Sequence, residues 1–161
     1  MFGCSDYPGY KYNDGAKPSP QPIWGEIDER DLVLGGDCHL ESINDKPSES
    51  QSSHLIIQNG AALKVVGWAA ISGSKGISAT DIAVALNPIS GNGTRSFVDT
   101  IKVKRPDVAD YFKNAGIVDS GFKAAIDLTD MLPGDYQLEI IQHRDKTNYK
   151  CQYAANLVLK K

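Results

Sequence analysis

Residues 122–128 read Phe-Lys-Ala-Ala-Ile-Asp-Leu, and apolar side chains occupy every second position from Phe122 to Leu128. A period of two places those side chains on one face of a β-strand, so this stretch predicts a strand with one buried face. The same alternation recurs in four more groups: Ile82, Val84 and Leu86; Phe97, Ile101 and Val103; Tyr136, Leu138 and Ile140; and Cys151, Tyr153, Ala155, Leu157 and Leu159. Repeated short strands of this kind indicate an all-β domain.

Turn-forming residues separate these strands at short intervals. Asn59-Gly60 is a strong hairpin signal, and Asn87-Pro88 and Pro133-Gly134-Asp135 interrupt the chain next to other strands. Short strands with frequent turns predict an antiparallel β-sandwich, immunoglobulin-like or jelly-roll in style. The run from Ala62 to Ile71 is apolar on both faces, which predicts a central strand covered on both sides.

One short helix is predicted over residues 106–114. Pro106 suits the first helical position, and Asp107 lies near the positive end of the helix dipole. Val108 and Phe112 share a face at i, i+4 spacing. We expect this apolar face to cover one end of the sandwich.

Length and composition fit one globular domain. The chain has 161 residues, 41% of them hydrophobic, and a net charge of −3. That is enough material for a real core. The basic residues are scattered, so no footprint for nucleic acid is present. No stretch approaches the roughly 18 apolar residues of a membrane span.

The first 30 residues have a different composition from the remainder. Prolines at positions 8, 18, 20 and 22 exclude a continuous helix or a central strand there. Segments of this kind cannot bury enough surface to fold alone. We therefore predict a flexible tether over residues 1–30 and a β-sandwich domain over residues 31–161.

Aromatic residues are the unusual feature of this tether: Tyr7, Tyr10, Tyr12 and Trp24. They either form a contact site for a partner or dock on the domain. We favour docking for Trp24, because Ile23 beside it also seeks burial.

Three cysteines divide into a pair and a single residue. Cys38 belongs to the predicted first strand, residues 36–43, and Cys151 begins the last strand with an inward-facing parity. We predict a disulfide between them, to which the chain-entropy model assigns about 4–5 kcal/mol. The alternative is two buried thiols that act as small hydrophobes.

The third cysteine has a different context, since an odd count indicates a separate use. Gly3, directly before Cys4, matches the small residue that bacterial lipoprotein processing requires. Cys4 is therefore a candidate lipidation site, and the alternative is an exposed thiol near a disordered terminus. A lipid on Cys4 and a disulfide together predict export to the bacterial periplasm or outer membrane.

Four motifs stand in a recognisable order: Gly67-Trp68-Ala69, Arg105-Pro106-Asp107-Val108-Ala109, Ser120-Gly121-Phe122 and Leu132-Pro133-Gly134-Asp135-Tyr136-Gln137-Leu138. This order resembles that of β-sandwich accessory domains in bacterial envelope proteins, including segments appended to polysaccharide-related glycosyltransferases. The resemblance implies a non-catalytic sandwich in the cell envelope.

Structural roles are expected for three residues of these motifs. We expect Trp68 to anchor the core between the sheets, as large aromatic side chains do. Arg105 is expected to pair with a carboxylate such as Asp119. Gly121 is expected to give the backbone room to enter a strand at Phe122.

Residues suited to catalysis or metal binding form no pattern. His39, His54 and His143 have no metal-ligand spacing with one another or with a cysteine, and no nucleophile elbow or phosphate-binding loop occurs. His39 and His143 are expected on solvated strand faces. We therefore predict no catalytic residue, no metal site and no cofactor.

The expected function is a non-catalytic envelope module that binds or scaffolds a protein or glycan partner. Recognition is expected at a sheet edge, at the loop 87–95, or at the loop 144–149. The second loop offers polar and aromatic contacts from Arg144, Asp145, Lys146, Asn148 and Tyr149. The alternatives are a structural subunit or assembly factor of an envelope machine, and a polysaccharide-active enzyme with an unmarked site.

Overall fold

The computed structural model describes residues 15–47, 55–58, 62–89 and 94–160, with only the backbone of residues 152–154. Over these residues the chain forms eleven β-strands and one α-helix. The strands are β1 (Leu32–Leu34), β2 (Asp37–Ile43), β3 (Lys46–Pro47), β4 (Leu55–Gln58), β5 (Ala62–Ala70), β6 (Asp81–Pro88), β7 (Ser96–Asp99), β8 (Ile101–Val103), β9 (Gly121–Asp127), β10 (Gly134–Arg144) and β11 (Thr147–Lys160). The helix α1 is Pro106–Phe112, and short 3-10 turns span Glu29–Asp31 and Ala115–Ile117.

Two sheets face each other and form the predicted sandwich. One has six strands in the order β1-β11-β10-β6-β7, with β4 also paired to β11, and the other has five in the order β3-β2-β5-β9-β8. Most pairs are antiparallel, as expected. The exceptions are β1 and β4, which both run parallel to β11 along one edge. The all-β sandwich with a short helix is confirmed, with this parallel edge as an addition.

The core between the sheets follows the alternation in the sequence. In β9, Phe122, Ala124 and Ile126 are fully buried. They pack with inward-facing residues of the other strands, including Leu63, Val65, Val84, Leu86, Leu138, Ile140 and Leu157. Phe122 therefore has the structural position expected for it.

Trp68 lies on the other face of its strand, which corrects the expected position. In β5 the inward-facing residues are Leu63, Val65 and Ala69, so Trp68 points outward and is half-buried. Its ring packs edge-on against Phe112 of α1, with centroids 5.7 Å apart. The sequence was ambiguous here because both faces of β5 are apolar and a helix covers the outer one.

Helix α1 begins at Pro106 as predicted and ends at Phe112, two residues before the end of the predicted range. Lys113 adopts a left-handed conformation and its backbone N–H caps the helix by bonding Ala109 and Asp110. Val108 and Ala109 are buried against Ala70 and Ile117. The helix therefore covers the outer face of the five-stranded sheet at the end of β5.

A tyrosine corner fixes the start of β10. The Tyr136 hydroxyl donates a hydrogen bond of 2.6 Å to the carbonyl of Leu132, four residues upstream. Bonds of this kind hold the turn that leads into a sandwich strand. The Leu132–Tyr136 motif of the sequence is thus explained by a structural role.

The two sheets are joined covalently at one place. Cys38 of β2 and Cys151 of β11 lie at disulfide distance, with their Cα atoms 6.1 Å apart. The two strands belong to different sheets, so the link crosses the core instead of joining neighbouring strands. Cys4 lies outside the described residues, as does the Asn59-Gly60 turn.

Residues 16–24, which we call the strap, are held against the sandwich. Ala16 pairs with Ile126 and Ser19 pairs with Phe97, each through backbone hydrogen bonds of 2.8–3.0 Å. The expected tether over residues 1–30 is therefore bound to the domain along this part. Short backbone pairing tolerates the prolines because they alternate with residues that do donate.

Candidate functional site

The hairpin between β10 and β11 contains the predicted ligand loop. Asp145 and Lys146 both have left-handed backbone conformations, with φ values of 51° and 67°, which is the geometry of a tight hairpin turn. The Arg144 guanidinium donates to the carbonyl of Ser78 at 2.9 Å. Arg144 is thus held by the domain, and the turn presents mainly Asp145 and Lys146.

Asn148 and Tyr149 do not join that turn as ligand contacts. The Asn148 side-chain oxygen accepts a hydrogen bond of 2.9 Å from the Trp24 indole N–H, and it lies 2.9 Å from the His143 Nδ1 atom. Tyr149 is half-buried within β11, paired with Gln142 on one side and Val33 on the other. The five predicted residues are therefore not brought together as one site.

Trp24 docks on the sandwich, as predicted. Its ring stacks on His143 with centroids 5.1 Å apart and an interplanar angle of 14°. His143 therefore has an aromatic cover instead of the solvated face expected for it. Ile23 beside it stays 79% exposed, so the expected burial of Ile23 is wrong.

Charged groups are buried beneath the segment that follows the strap. Glu139 is 1% exposed on the outer face of the six-stranded sheet, and the Arg95 Nε atom donates to it at 2.6 Å. Arg95 also lies 3.2 Å from Glu29, and Lys150 lies 3.6 Å from Glu139. Because Glu29 lies shortly before β1, this network holds the segment that leads into β1 against the sheet.

Arg105 forms a second buried ion-pair network. Its guanidinium pairs with Glu41 and donates to both carboxylate oxygens of Asp107, at 2.8 and 2.9 Å. The expected partner Asp119 is replaced by Glu41, which projects from a register shift in β2. The hydrogen bonds from Arg105 lower the pKa of Asp107.

Gly121 explains how Arg105 reaches this position. A Cβ atom on Gly121 would lie 2.5 Å from the Arg105 side chain and 2.5 Å from the Val103 carbonyl. Glycine is therefore needed for the close approach of Arg105 to β9. The expected structural role of Gly121 is correct, with a different physical reason.

One side of the sandwich, the β7/β8 side, is closed by the strap. Ala16 continues the edge of β9 beyond β8, and Ser19 pairs with β7. The backbone N–H of Ile23 donates to the Asp99 carboxylate at 3.0 Å. The strap thus pairs with the edges of both sheets on this side.

The opposite side of the six-stranded sheet, which we call the β1/β4 edge, has a different surface. It consists of the two short strands that run parallel to β11, and no other described strand pairs with them. Val33, Leu34 and Ile56 on these strands are 45%, 58% and 54% exposed. Exposed apolar strand edges are rare in isolated domains, because they accept further strands.

The sequence contains little signal for this edge. β1 has only three residues, all apolar, so no alternation marks it as a strand. β4 directly follows residues outside the described part of the chain. Within β4, Leu55 and Ile57 are more buried than Ile56 and Gln58. The parallel pairing with β11 is a long-range contact that no local motif indicates.

The described part of the chain has neither a cluster of metal-ligating side chains nor a membrane-spanning helix. No group of three or more His, Cys, Asp or Glu residues is arranged there to hold a metal ion. No helix in that part is long and apolar enough to cross a bilayer. His54 and residues 90–93 of the loop 87–95 lie outside it.

Comparison with known proteins yields little. No protein-family model matches the chain, and no curated protein matches it. Among solved structures, the chain is similar to an internalin-like protein of Listeria monocytogenes, lmo2027, at 11% identity and a TM-score of 0.30. That match covers 66% of this chain and 27% of the other. A likeness of this size carries no argument about function.

Proposed function

We propose that this chain is a non-catalytic module of a bacterial cell envelope that binds a protein partner at the β1/β4 edge. The partner contributes an extended segment that pairs with β1 as an additional strand. The observation that carries this proposal is the exposure of Val33, Leu34 and Ile56 along a strand edge that no described strand covers.

Strand addition suits this edge on physical grounds. An edge strand presents backbone N–H and C=O groups that a partner strand satisfies, and this pairing gives affinity without a deep pocket. Side chains on alternate positions give specificity. Leu34 follows Leu32 on the same face of β1, so a partner strand would place an apolar side chain beside Leu34.

An exported location is part of the same proposal. Disulfides persist in oxidising compartments such as the bacterial periplasm, and Cys38 and Cys151 lie at disulfide distance. The Gly3-Cys4 pair supports lipidation of Cys4, which would hold the module at a membrane. Mass spectrometry of the protein recovered from bacterial membranes measures an acyl group on Cys4.

The binding proposal is tested with a library of extended random peptides. The full chain, immobilised in its oxidised form, selects binders that are then measured against Val33→Lys and Leu34→Lys variants. We expect at least about tenfold weaker binding to each, because a lysine on a strand edge opposes strand addition. Tyr111→Ser is the matched control, since Tyr111 is 79% exposed on α1, away from the edge.

Three results would contradict the proposal. Selected peptides that bind both lysine variants as tightly as the native chain would place recognition elsewhere on the domain. A glycan array that yields ligands, alongside a library that yields none, would favour the glycan partner. A protein that instead co-purifies in fixed stoichiometry independently of the edge would favour the structural subunit.

A further inference from the structure

Ser19 of the strap uses both of its backbone groups on β7. Its N–H donates to the Phe97 carbonyl at 2.9 Å, and its carbonyl accepts from the Phe97 N–H at 2.8 Å. The two residues form an antiparallel bridge. The strap is therefore the outermost described segment on this side of the six-stranded sheet, and its other edge faces away from β7.

Prolines stand on both sides of Ser19. Within a planar trans peptide, the carbonyl of one residue and the nitrogen of the next point in opposite directions. Because the Ser19 carbonyl points at β7, the nitrogen of Pro20 points away from it. The alternation of an extended backbone directs the nitrogen of Pro18 the same way. Proline has no N–H, so the outer edge of the strap offers no donor from either position.

The five-stranded sheet ends in two strands that also oppose further pairing. β3 consists of Lys46 and Pro47, both exposed. Lysine and proline are typical of protected edges. β8 at the other end has three residues, with Lys102 at its centre. A short strand with a charged residue offers few backbone groups to a partner strand.

The β1/β4 edge differs from these three edges in composition. β1 reads Leu-Val-Leu and β4 reads Leu-Ile-Ile-Gln. Neither strand contains a proline or a charged residue, so every residue has a backbone N–H and none adds a charge. Among the four sheet edges in the described part of the chain, the β1/β4 edge alone lacks such protection.

We propose that the strap caps the β7 side, so that the module accepts a partner strand at one edge only. The identity of that edge comes from the proposed function, on which this inference rests, whereas the blocking role of Pro18 and Pro20 stands on the hydrogen bonds of Ser19. A single accepting edge makes the module the end of an assembly. Accepting edges on both sides of one sheet would join copies head to tail, and contacts of this kind form open chains.

Sedimentation equilibrium of the full chain tests the cap. The double variant Pro18→Thr, Pro20→Thr restores two outward N–H donors and adds side chains that suit a strand. The β1/β4 edge of one copy then pairs with the strap of the next. We expect a weight-average mass at least about twofold above that of the native chain at the same concentration. The Ser19 amide should remain as protected from exchange as in the native chain, because its bond to Phe97 is retained.

Two further variants locate the contact between copies. Gln21→Thr is the matched control, because it introduces the same residue into the strap without restoring an N–H, and it should leave the native mass unchanged. Leu34→Lys, added to the double variant, should return the mass to the native value, since a lysine opposes pairing at the β1/β4 edge.

Three outcomes would overturn the cap. The first is a double variant with the native mass. The second is growth that persists with Leu34→Lys, which would place the contact between copies elsewhere. The third is a loss of Ser19 protection in the double variant, which would show that the prolines anchor the strap instead of blocking its edge.

Calorimetric titration separates the cap from the proposed function. A peptide selected on the native chain should bind at about one per chain. A second site on the native chain that is insensitive to Leu34→Lys would overturn the cap and leave the proposed function in place. Growth of the double variant through Leu34, with no peptide bound by the native chain, would support the cap and reject the proposed function.

Discussion

The two sides of the six-stranded sheet end in different ways. On the β7/β8 side, the strap pairs with β7 and with β9 through backbone hydrogen bonds. On the β1/β4 edge, two short parallel strands expose Val33, Leu34 and Ile56. Because both sides belong to one sandwich, the difference is one of local coverage: a sheet edge is closed where a segment of the same chain supplies its missing strand.

The difference also concerns how each side is held. The strap is held by noncovalent contacts, chiefly the Trp24 stacking and a few backbone bonds. The β1 strand lies next to the only covalent link between the sheets in the described part of the chain. An open edge so close to a covalent clamp is suited to binding, because the strand that receives a partner is already ordered.

Removal of the covalent clamp should have the largest effect. Replacing both Cys38 and Cys151 with alanine should lower the free energy of unfolding by about 4–5 kcal/mol, because the closed loop is long. Urea denaturation of the double variant and of the oxidised native chain measures this. An unchanged midpoint would mean that the link does not stabilise the sandwich.

Removal of the main anchor of the strap should have the next largest effect. Trp24→Ala loses the stacking on His143 and the hydrogen bond to Asn148, which together contribute about 2 kcal/mol. The Ser19 amide should also exchange faster, because it belongs to the same strap. Tyr111→Ala is the control and should change stability by less than about 0.5 kcal/mol.

Within β1, two leucines on the same face should respond differently. Leu32 packs against the buried cluster of Ala85, Phe97 and Ile141, so Leu32→Lys should cost about 2 kcal/mol through lost burial. Leu34 is 58% exposed, so Leu34→Lys should change stability by less than about 0.5 kcal/mol. Thermal unfolding of both variants tests this contrast, and equal costs would show that Leu34 is covered in solution.

Lowering the pH should weaken both sides in the same way, so we expect the smallest difference between them here. Hydrogen bonds from Thr129 lower the pKa of Asp127 beside the strap, and those from Arg30 lower the pKa of Asp28 before β1. Each carboxylate holds its proton less tightly when folded, so its stabilisation is present above about pH 4 and is lost as the pH falls further. Carboxyl titration by NMR should show both values below those of an unfolded peptide; a normal value for either would contradict its hydrogen bonds.

The fold was predictable where one face of a strand is apolar and the other polar. In β9, the alternation from Phe122 to Ile126 identifies the face that lies in the core, although Lys123 and Ala125 on the other face are buried as well. The helix was predictable from Pro106, and the cysteine pair from strand parity. These features depend on neighbours in sequence, which a single sequence contains.

The remainder depends on contacts between distant segments. Both faces of β5 are apolar, so its sequence does not decide which face holds Trp68, and only the position of α1 does. Arg105 pairs with Glu41 because a register shift in β2 turns that residue outward. The prolines of the strap exclude a regular strand and so predict a free tether, although two isolated backbone pairs are enough to fix it.

The sequence predicts recognition at a sheet edge only as one of three possible places, and it does not indicate the β1/β4 edge. The loop 144–149 had more chemically suggestive residues, but Asn148 is engaged by Trp24 and Arg144 by Ser78. Exposure of Leu34 and Ile56 is a property of packing, so composition could not reveal it.

Photo-cross-linking from two matched positions tests the central claim most directly. A benzophenone amino acid replaces Leu34 on the β1/β4 edge or Ile23 on the strap, both of which are apolar and exposed. Each variant is mixed with a peptide selected on the native chain and irradiated. The claim predicts a cross-linked complex from position 34 and none from position 23. Equal cross-linking from both positions, or cross-linking from position 23 alone, would contradict it.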